Sequence, residues 1–164
     1  MTQITNRIDH VAWMCRPENH DAYVEKLSKI YDVSFEADDG GPDYGLRLTW
    51  WSAGLEVLSP AGDPDLPLAK MCWDYLGKRG EGLFAVVMGV DDVGKSIEHA
   101  REQGFTPSPL FSLPETDKPW LRRVQECTES VLDVFLDQNL AVGRIITDGD
   151  GPSLAEQRAG IAAG

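Results

Sequence analysis

The sequence predicts an α+β fold: two tandem βαβββ modules forming a cup-shaped mixed sheet. Three observations carry this. Ile8-Asp9-His10-Val11-Ala12-Trp13-Met14 opens the first half with an alternating strand, and Glu81–Val90 opens the second with an apolar one. A helix-like stretch follows each opening. Each half then ends in short strand-like segments bearing one acidic residue among apolar ones, Leu55-Glu56-Val57-Leu58 and Val131-Leu132-Asp133-Val134-Phe135, at nearly equal spacing from the opening strand. The expected boundaries are 1–64 and 81–146 for the modules, 65–80 for a linker helix and 147–164 for a flexible tail.

Element by element, Arg7 to Cys15 reads as a strand with Ile8, His10, Ala12 and Met14 on one face. Pro17 suits a helix start, and Asp21, Ala22, Val24, Leu27 and Ile30 continue it at helical spacing. A short strand near Val33–Glu36 precedes the turn Asp38-Asp39-Gly40-Gly41-Pro42-Asp43. Leu46–Trp51 and Leu55–Leu58 form a hairpin across Ser52-Ala53-Gly54. Leu68, Met71, Cys72, Tyr75 and Leu76 share one helix face. Leu83–Val90 is the next strand; Asp91 or Asp92 caps a helix reaching Glu102, which Gly104 stops. Thr106 to Lys118 carries three prolines and reads as a long loop, a candidate lid. Trp120–Gln125 and Val131–Leu136 are expected to form the last hairpin.

Each half offers a sheet with one face covered by a helix, so the uncovered faces line the expected cup. Composition bounds what that cup can do. The 164 residues fit one domain or two halves sharing a core, and the apolar fraction of 42% is ordinary. No apolar run approaches the roughly 18 residues that span a bilayer. Met1–Arg7 lacks the layout of a secretory signal, so a cytoplasmic protein is expected. Net charge is −12, and the basic clusters Lys78-Arg79 and Arg122-Arg123 are pairs rather than patches. That argues against a nucleic-acid partner and an anionic membrane, and leaves a small-molecule ligand. Cys15, Cys72 and Cys127 are odd in number and far apart, which points to three reduced thiols. His20 and His99 lie on predicted helices and read as surface residues.

The stretch Leu66-Pro67-Leu68-Ala69-Lys70, the approach Gly77-Lys78-Arg79-Gly80-Glu81-Gly82-Leu83 and the exit Val90-Asp91-Asp92-Val93 resemble the vicinal oxygen chelate superfamily over about residues 7–137. The resemblance is nearest to the methylmalonyl-CoA epimerase-like group, and it implies a glyoxalase-like fold. It further implies one divalent ion, with ligands on the first and last strand of each module. Carried onto this chain, these are His10, Glu56, Ala85 in place of the usual His, and Asp133 in place of the usual Glu. The residues themselves give one imidazole and two carboxylates on strand faces, a set that suits Mn, Co, Mg, Zn or Fe. Ala85 cannot ligate, so water or substrate would take that corner.

The expected metal site is therefore His10, Glu56 and Asp133, with Glu56 or Asp133 doubling as the base. The function this implies is a divalent-metal-dependent isomerase, epimerase or lyase acting on a small carbonyl or carboxylate compound through a metal-stabilised enolate. The epimerase group also has a Glu on the third strand of the first module, where this chain has Leu48. Arg47 on that strand either holds a substrate carboxylate or forms a surface salt bridge. Trp50 and Trp120 are the candidate aromatic walls of the ligand site. The alternative reading is a metal-free, drug-sequestering binding protein of the same fold. Open sheet edges lead to the expectation of a homodimer.

Overall fold

A computed structural model describes residues 4–37, 43–51, 54–112, 124–136 and 138–147. The strands are β1 (Ile4–Met14), β2 (Glu36–Ala37), β3 (Leu46–Trp51), β4 (Leu55–Pro60), β5 (Gly82–Val90), β6 (Phe111–Ser112), β7 (Val124–Phe135) and β8 (Gln138–Thr147). The helices are α1 (His20–Tyr31), α2 (Pro67–Arg79) and α3 (Val93–Glu102), with a 3₁₀ turn at Pro17–Asn19 leading into α1. The strands hydrogen-bond in the order β2-β3-β4-β1-β5-β8-β7-β6. β5 runs parallel to β8, while β2–β3, β3–β4, β6–β7 and β7–β8 are antiparallel. The sheet is mixed and the fold α+β. Each module repeats the order β, α, β, β, β, so β8 is the counterpart of β4 and β7 of β3. Among the described residues, no helix is long and apolar enough to cross a membrane.

Compactness divides the chain into two units, Ala12–Phe84 and a second made of Met1–Val11 with Ala85–Gly164. In the first, α1 covers one face of β3 and β4. His20 reaches down from α1, fully buried, with Nδ1 at 2.8 Å from Ser59 Oγ and Nε2 at 2.8 Å from Thr49 Oγ1. The surface position expected for His20 is thus corrected: as the first residue of α1 it points at two strand hydroxyls that satisfy both ring nitrogens. Burial pushes its pKa down to about 4. Gly45 precedes β3 at φ +95°, and a Cβ there would meet Ala69 N at 2.7 Å and Leu66 Cβ at 2.9 Å. α2 can therefore lie against that turn only because position 45 has no side chain. At the end of α2, Tyr75 donates to Leu83 O at 2.6 Å and sets its ring edge-on to Phe84.

In the second unit, Val90, Val93, Ile97 and Val142 form a buried cluster between α3 and the sheet, with Met88 and Leu132 packed on it. Asp92 caps α3 through its carboxylate, which accepts from Lys95 N at 2.9 Å. His99 is exposed, as read. The last hairpin differs from expectation. β7 is one continuous strand through the polar stretch Gln125–Ser130, and it pairs with β8 rather than folding back on itself. The edges of β6 and β7 are tied by Ser108, whose N–H donates to Val131 O at 2.8 Å. The turn residues 38–42, most of the proline-rich loop with Trp120 and Arg122-Arg123, and the tail beyond 147 lie outside the described residues.

Two predictions follow from this packing. His20 has a folded-state pKa below its unfolded value of about 6.5, so its contribution is complete above that pH. It is lost as pH falls toward 4, because the unfolded chain takes the proton first. Denaturation at pH 7 and pH 4.5 should show wild type losing on the order of 2 kcal/mol more than His20→Gln across that interval. Gly45→Ala should lower stability by about 2–4 kcal/mol through backbone strain and displacement of α2, read as a fall in denaturation midpoint.

Candidate functional site

Period-2 alternation decides which candidate side chains stand on the face away from each helix. On β3, Thr49 faces α1 through His20, and Trp51 stacks on Tyr31 of α1 with ring centroids 6.5 Å apart. Arg47 shares their side, where its Nη2 bonds Asp21 Oδ1 at 2.6 Å. The guanidinium hydrogen bond in turn holds the Asp21 carboxyl below its usual range. Of the two roles open to Arg47, the structure supplies the salt bridge on the helix side. Trp50 points the other way and is the cross-strand partner of Glu56. The Trp50 indole Nε1 is buried and has no hydrogen-bond partner among the described residues, so a donor is available on that face. Glu56 is half-buried beside it.

In the second unit, Met88, Val90 and Val142 face α3, which places Ala85, Val87, Ala141 and Gly143 on the opposite face. His10 belongs to this unit and is buried, 5% exposed. Its Nδ1 lies 3.2 Å from Asp9 Oδ1, and its Nε2 lies 3.5 Å from Glu129 Oε1. Each ring nitrogen of His10 thus has a carboxylate oxygen within ion-pair reach, and these two contacts set the orientation of the ring. Glu129 pairs with Gly143 across β7 and β8, and its side chain runs over the bare Cα of that glycine. The imidazole thus stands between two carboxylates, Asp9 at one ring nitrogen and Glu129 at the other.

Asp133 stands elsewhere. The register of β7 against β8 shifts between Val131 and Asp133, so Val131 pairs with Ala141 but Asp133 pairs with Leu140. The bulge puts Asp133 on the α3 side of the strand, exposed, and breaks the alternation that would have aligned it with Val131. Trp120 lies outside the described residues.

No family model matches the chain, and no curated protein matches it. Solved structures do. A hypothetical protein, BH1468 from Bacillus halodurans C-125, superposes with a TM-score of 0.62 at 15% identity, covering 90% of this chain and 98% of that one. A point variant of Streptomyces coelicolor methylmalonyl-CoA epimerase in complex with 2-nitronate-propionyl-CoA gives 0.59 at 20% identity, covering 87% and 98%. Methylmalonyl-CoA epimerase from Mycobacterium tuberculosis gives 0.55 at 18% identity, covering 100% and 96%. The chain shares the glyoxalase-like fold of these structures.

The ion implied by the vicinal oxygen chelate resemblance can be tested against the donors present. Ala85 offers none. The counterpart of Glu56 in the second module falls on β8, where Asn139, Ala141 and Gly143 supply neither carboxylate nor imidazole. No group of three His, Cys, Asp or Glu able to hold a metal exists among the described residues. His10 Nε2 and Glu129 Oε1, 3.5 Å apart, form an ion-pair contact and do not by themselves make such a group. Glu129, which the structure brings to His10, was not among the sequence candidates, because the polar stretch around it did not read as a strand.

Ala85→His adds an imidazole on the face that carries Gly143. If His10 and Glu129 form a partial cation site, this variant should bind Mn²⁺ or Zn²⁺ at least about tenfold tighter than wild type, a gain of about 1.4 kcal/mol. Isothermal titration reads it directly.

Proposed function

We propose that the chain is a metal-assisted isomerase or epimerase acting on a small carbonyl or carboxylate compound by moving a proton at the carbon beside the carbonyl. The observation that carries this reading is buried His10, oriented by Asp9 and aimed at the Glu129 carboxylate. A bound divalent ion would polarise the substrate carbonyl oxygen as a Lewis acid. The chain's own residues do the rest. His10, flanked by the Asp9 and Glu129 carboxylates, would be the chain's imidazole contribution to such a site. Glu56, half-buried on the helix-free face of its own unit, is the carboxylate that takes the substrate proton. Beside it, the Trp50 indole N–H is the donor for a substrate oxygen, and its ring is an apolar wall. Leu48 stands on the same face of β3, so the base is not drawn from that strand. This separates the proposal from methylmalonyl-CoA epimerase chemistry as such and leaves other acidic carbonyl compounds as substrates.

A second reading, a metal-free small-molecule binder of the same fold, is favoured by one feature. Ala85, Ala141 and Gly143 leave their face with small, ligand-free side chains. The homodimer expected from open sheet edges belongs to the proposal too, and light scattering reads it.

Elemental mass spectrometry of the untagged protein decides between the two readings. The enzyme reading expects about one divalent ion per chain, lost in His10→Ala. It also expects deuterium uptake from solvent at the acidic carbon of 2-oxo acids or acyl thioesters, slowed at least about 100-fold in Glu56→Gln. Absence of bound metal, with no exchange and no thermal shift on adding Mn²⁺, Co²⁺ or Zn²⁺, would overturn the enzyme reading and direct the search to ligand-binding screens.

A further inference from the structure

We infer that the ligand taken on the helix-free face of the first unit is an uncharged carbonyl compound rather than a carboxylate, and that Trp50 and Glu56 set this choice. This rests on the reading above that a small carbonyl compound binds there; it narrows the class and does not depend on a bound ion. Three observations carry it. The first is strand parity. Thr49 of β3 and Ser59 of β4 point to His20 of α1, so Leu48, Trp50, Glu56 and Leu58 stand on the opposite face. Leu48 pairs with Leu58, and Trp50 with Glu56. An apolar pair thus lies next to one indole and one carboxylate.

The second observation is charge. Arg47 is the one cation of β3 and β4, and it lies on the α1 side, where its Nη2 is 2.6 Å from Asp21 Oδ1. The face that carries Trp50 therefore holds a negative group and no positive one among the residues of these two strands. A ligand carboxylate brought there gives up water, meets a like charge and finds no counter-ion on the sheet. A ketone, ester, thioester or amide gives up far less. The third observation is the Trp50 indole Nε1, buried without a hydrogen-bond partner among the described residues. A carbonyl oxygen is the match for a neutral donor, and a buried donor left alone is a cost that such an oxygen relieves. The residue as a whole is half-buried, which leaves part of the ring for a ligand to cover. Leu48 and Leu58 suit the alkyl part of the same molecule. The face selects as much by what it repels as by what it holds.

The experiment compares pyruvate with pyruvamide, which share one ketone and nearly one shape and differ in charge. Ligand-observed nuclear magnetic resonance titrations of the full-length untagged protein at neutral pH give the dissociation constants. Wild type should bind pyruvamide at least about tenfold tighter than pyruvate. Glu56→Gln keeps the shape and removes the charge, so the preference should fall below about threefold through a gain for pyruvate. Trp50→Phe keeps an aromatic ring and removes the N–H, so pyruvamide should bind at least about threefold more weakly. Circular dichroism melts report folding of both variants, and Glu56→Gln carries the test if Trp50→Phe folds poorly. Pyruvate binding as tightly as pyruvamide in wild type overturns the inference and leaves the carbonyl-compound reading standing. A preference that Glu56→Gln leaves unchanged overturns Glu56 as its source. If neither compound binds, and neither takes up deuterium from solvent in the presence of the protein, the inference and that reading fall together.

Discussion

Each half of this sheet must hide one face under a helix, and the rest of the architecture follows from that requirement. In the second unit the cover is apolar: Val93 and Ile97 of α3 close over Val90 and Val142. In the first unit a polar contact does part of the work. A neutral imidazole, His20, is locked between Ser59 and Thr49 hydroxyls. Both solutions fix the parity of the strands. Once Thr49 is committed to α1, Arg47 must follow it and Trp50 must oppose it. Once Val142 is committed to α3, Gly143 and its partner Glu129 must turn away. The candidate chemistry is thus assigned by what the helices cover rather than by local preference.

The same logic separates what could be read in the sequence from what could not. The repeat, both opening strands, the β3–β4 hairpin, α2 and the Asp92 cap were legible, because each has a strong local signature. The repeat also singled out His10 and Glu56 as candidates, and it gave no pointer to Glu129, which the structure sets against His10. Gln125–Ser130 has no apolar alternation, and its strand character comes from pairing with β8, a contact of high sequence separation. His20 was misjudged because a histidine at a helix start looks like any solvated polar residue until its strand partners are known. Asp133 had correct alternation by sequence and lost it to a bulge, which no single-strand pattern announces.

Charge in this chain acts locally despite a net value of −12. Glu81 shows how. Its carboxylate accepts from Arg16 N at 2.8 Å, Asn19 Nδ2 at 2.9 Å and Tyr23 Oη at 2.8 Å. These hydrogen bonds, that of Asn19 foremost, hold its pKa below the usual range, so it stays ionised. A residue just ahead of β5 thereby staples the 3₁₀ turn and the first turns of α1 within one unit. An acidic chain can still build a site for a cation or for an anion, since the fields that matter are set over a few ångströms.

β7 and β8 pair up to Phe135 and Gln138, and Leu136, just past β7, sits at φ +48° with four-fifths of its surface in water. Neither the residue type nor its exposure suits a two-residue turn, where Asn-Gly would be at ease. The turn is therefore not what sets the pairing. A one-residue slip would absorb the bulge, lengthen the connection to three residues and swing Asp133 from solvent to the side of Asn139, beside buried Ala85. Desolvating that carboxylate opposes the slip. The cost of burying Asp133 thus favours the observed register between the bulge and the turn, while Glu129 pairs with Gly143 before the bulge in either register.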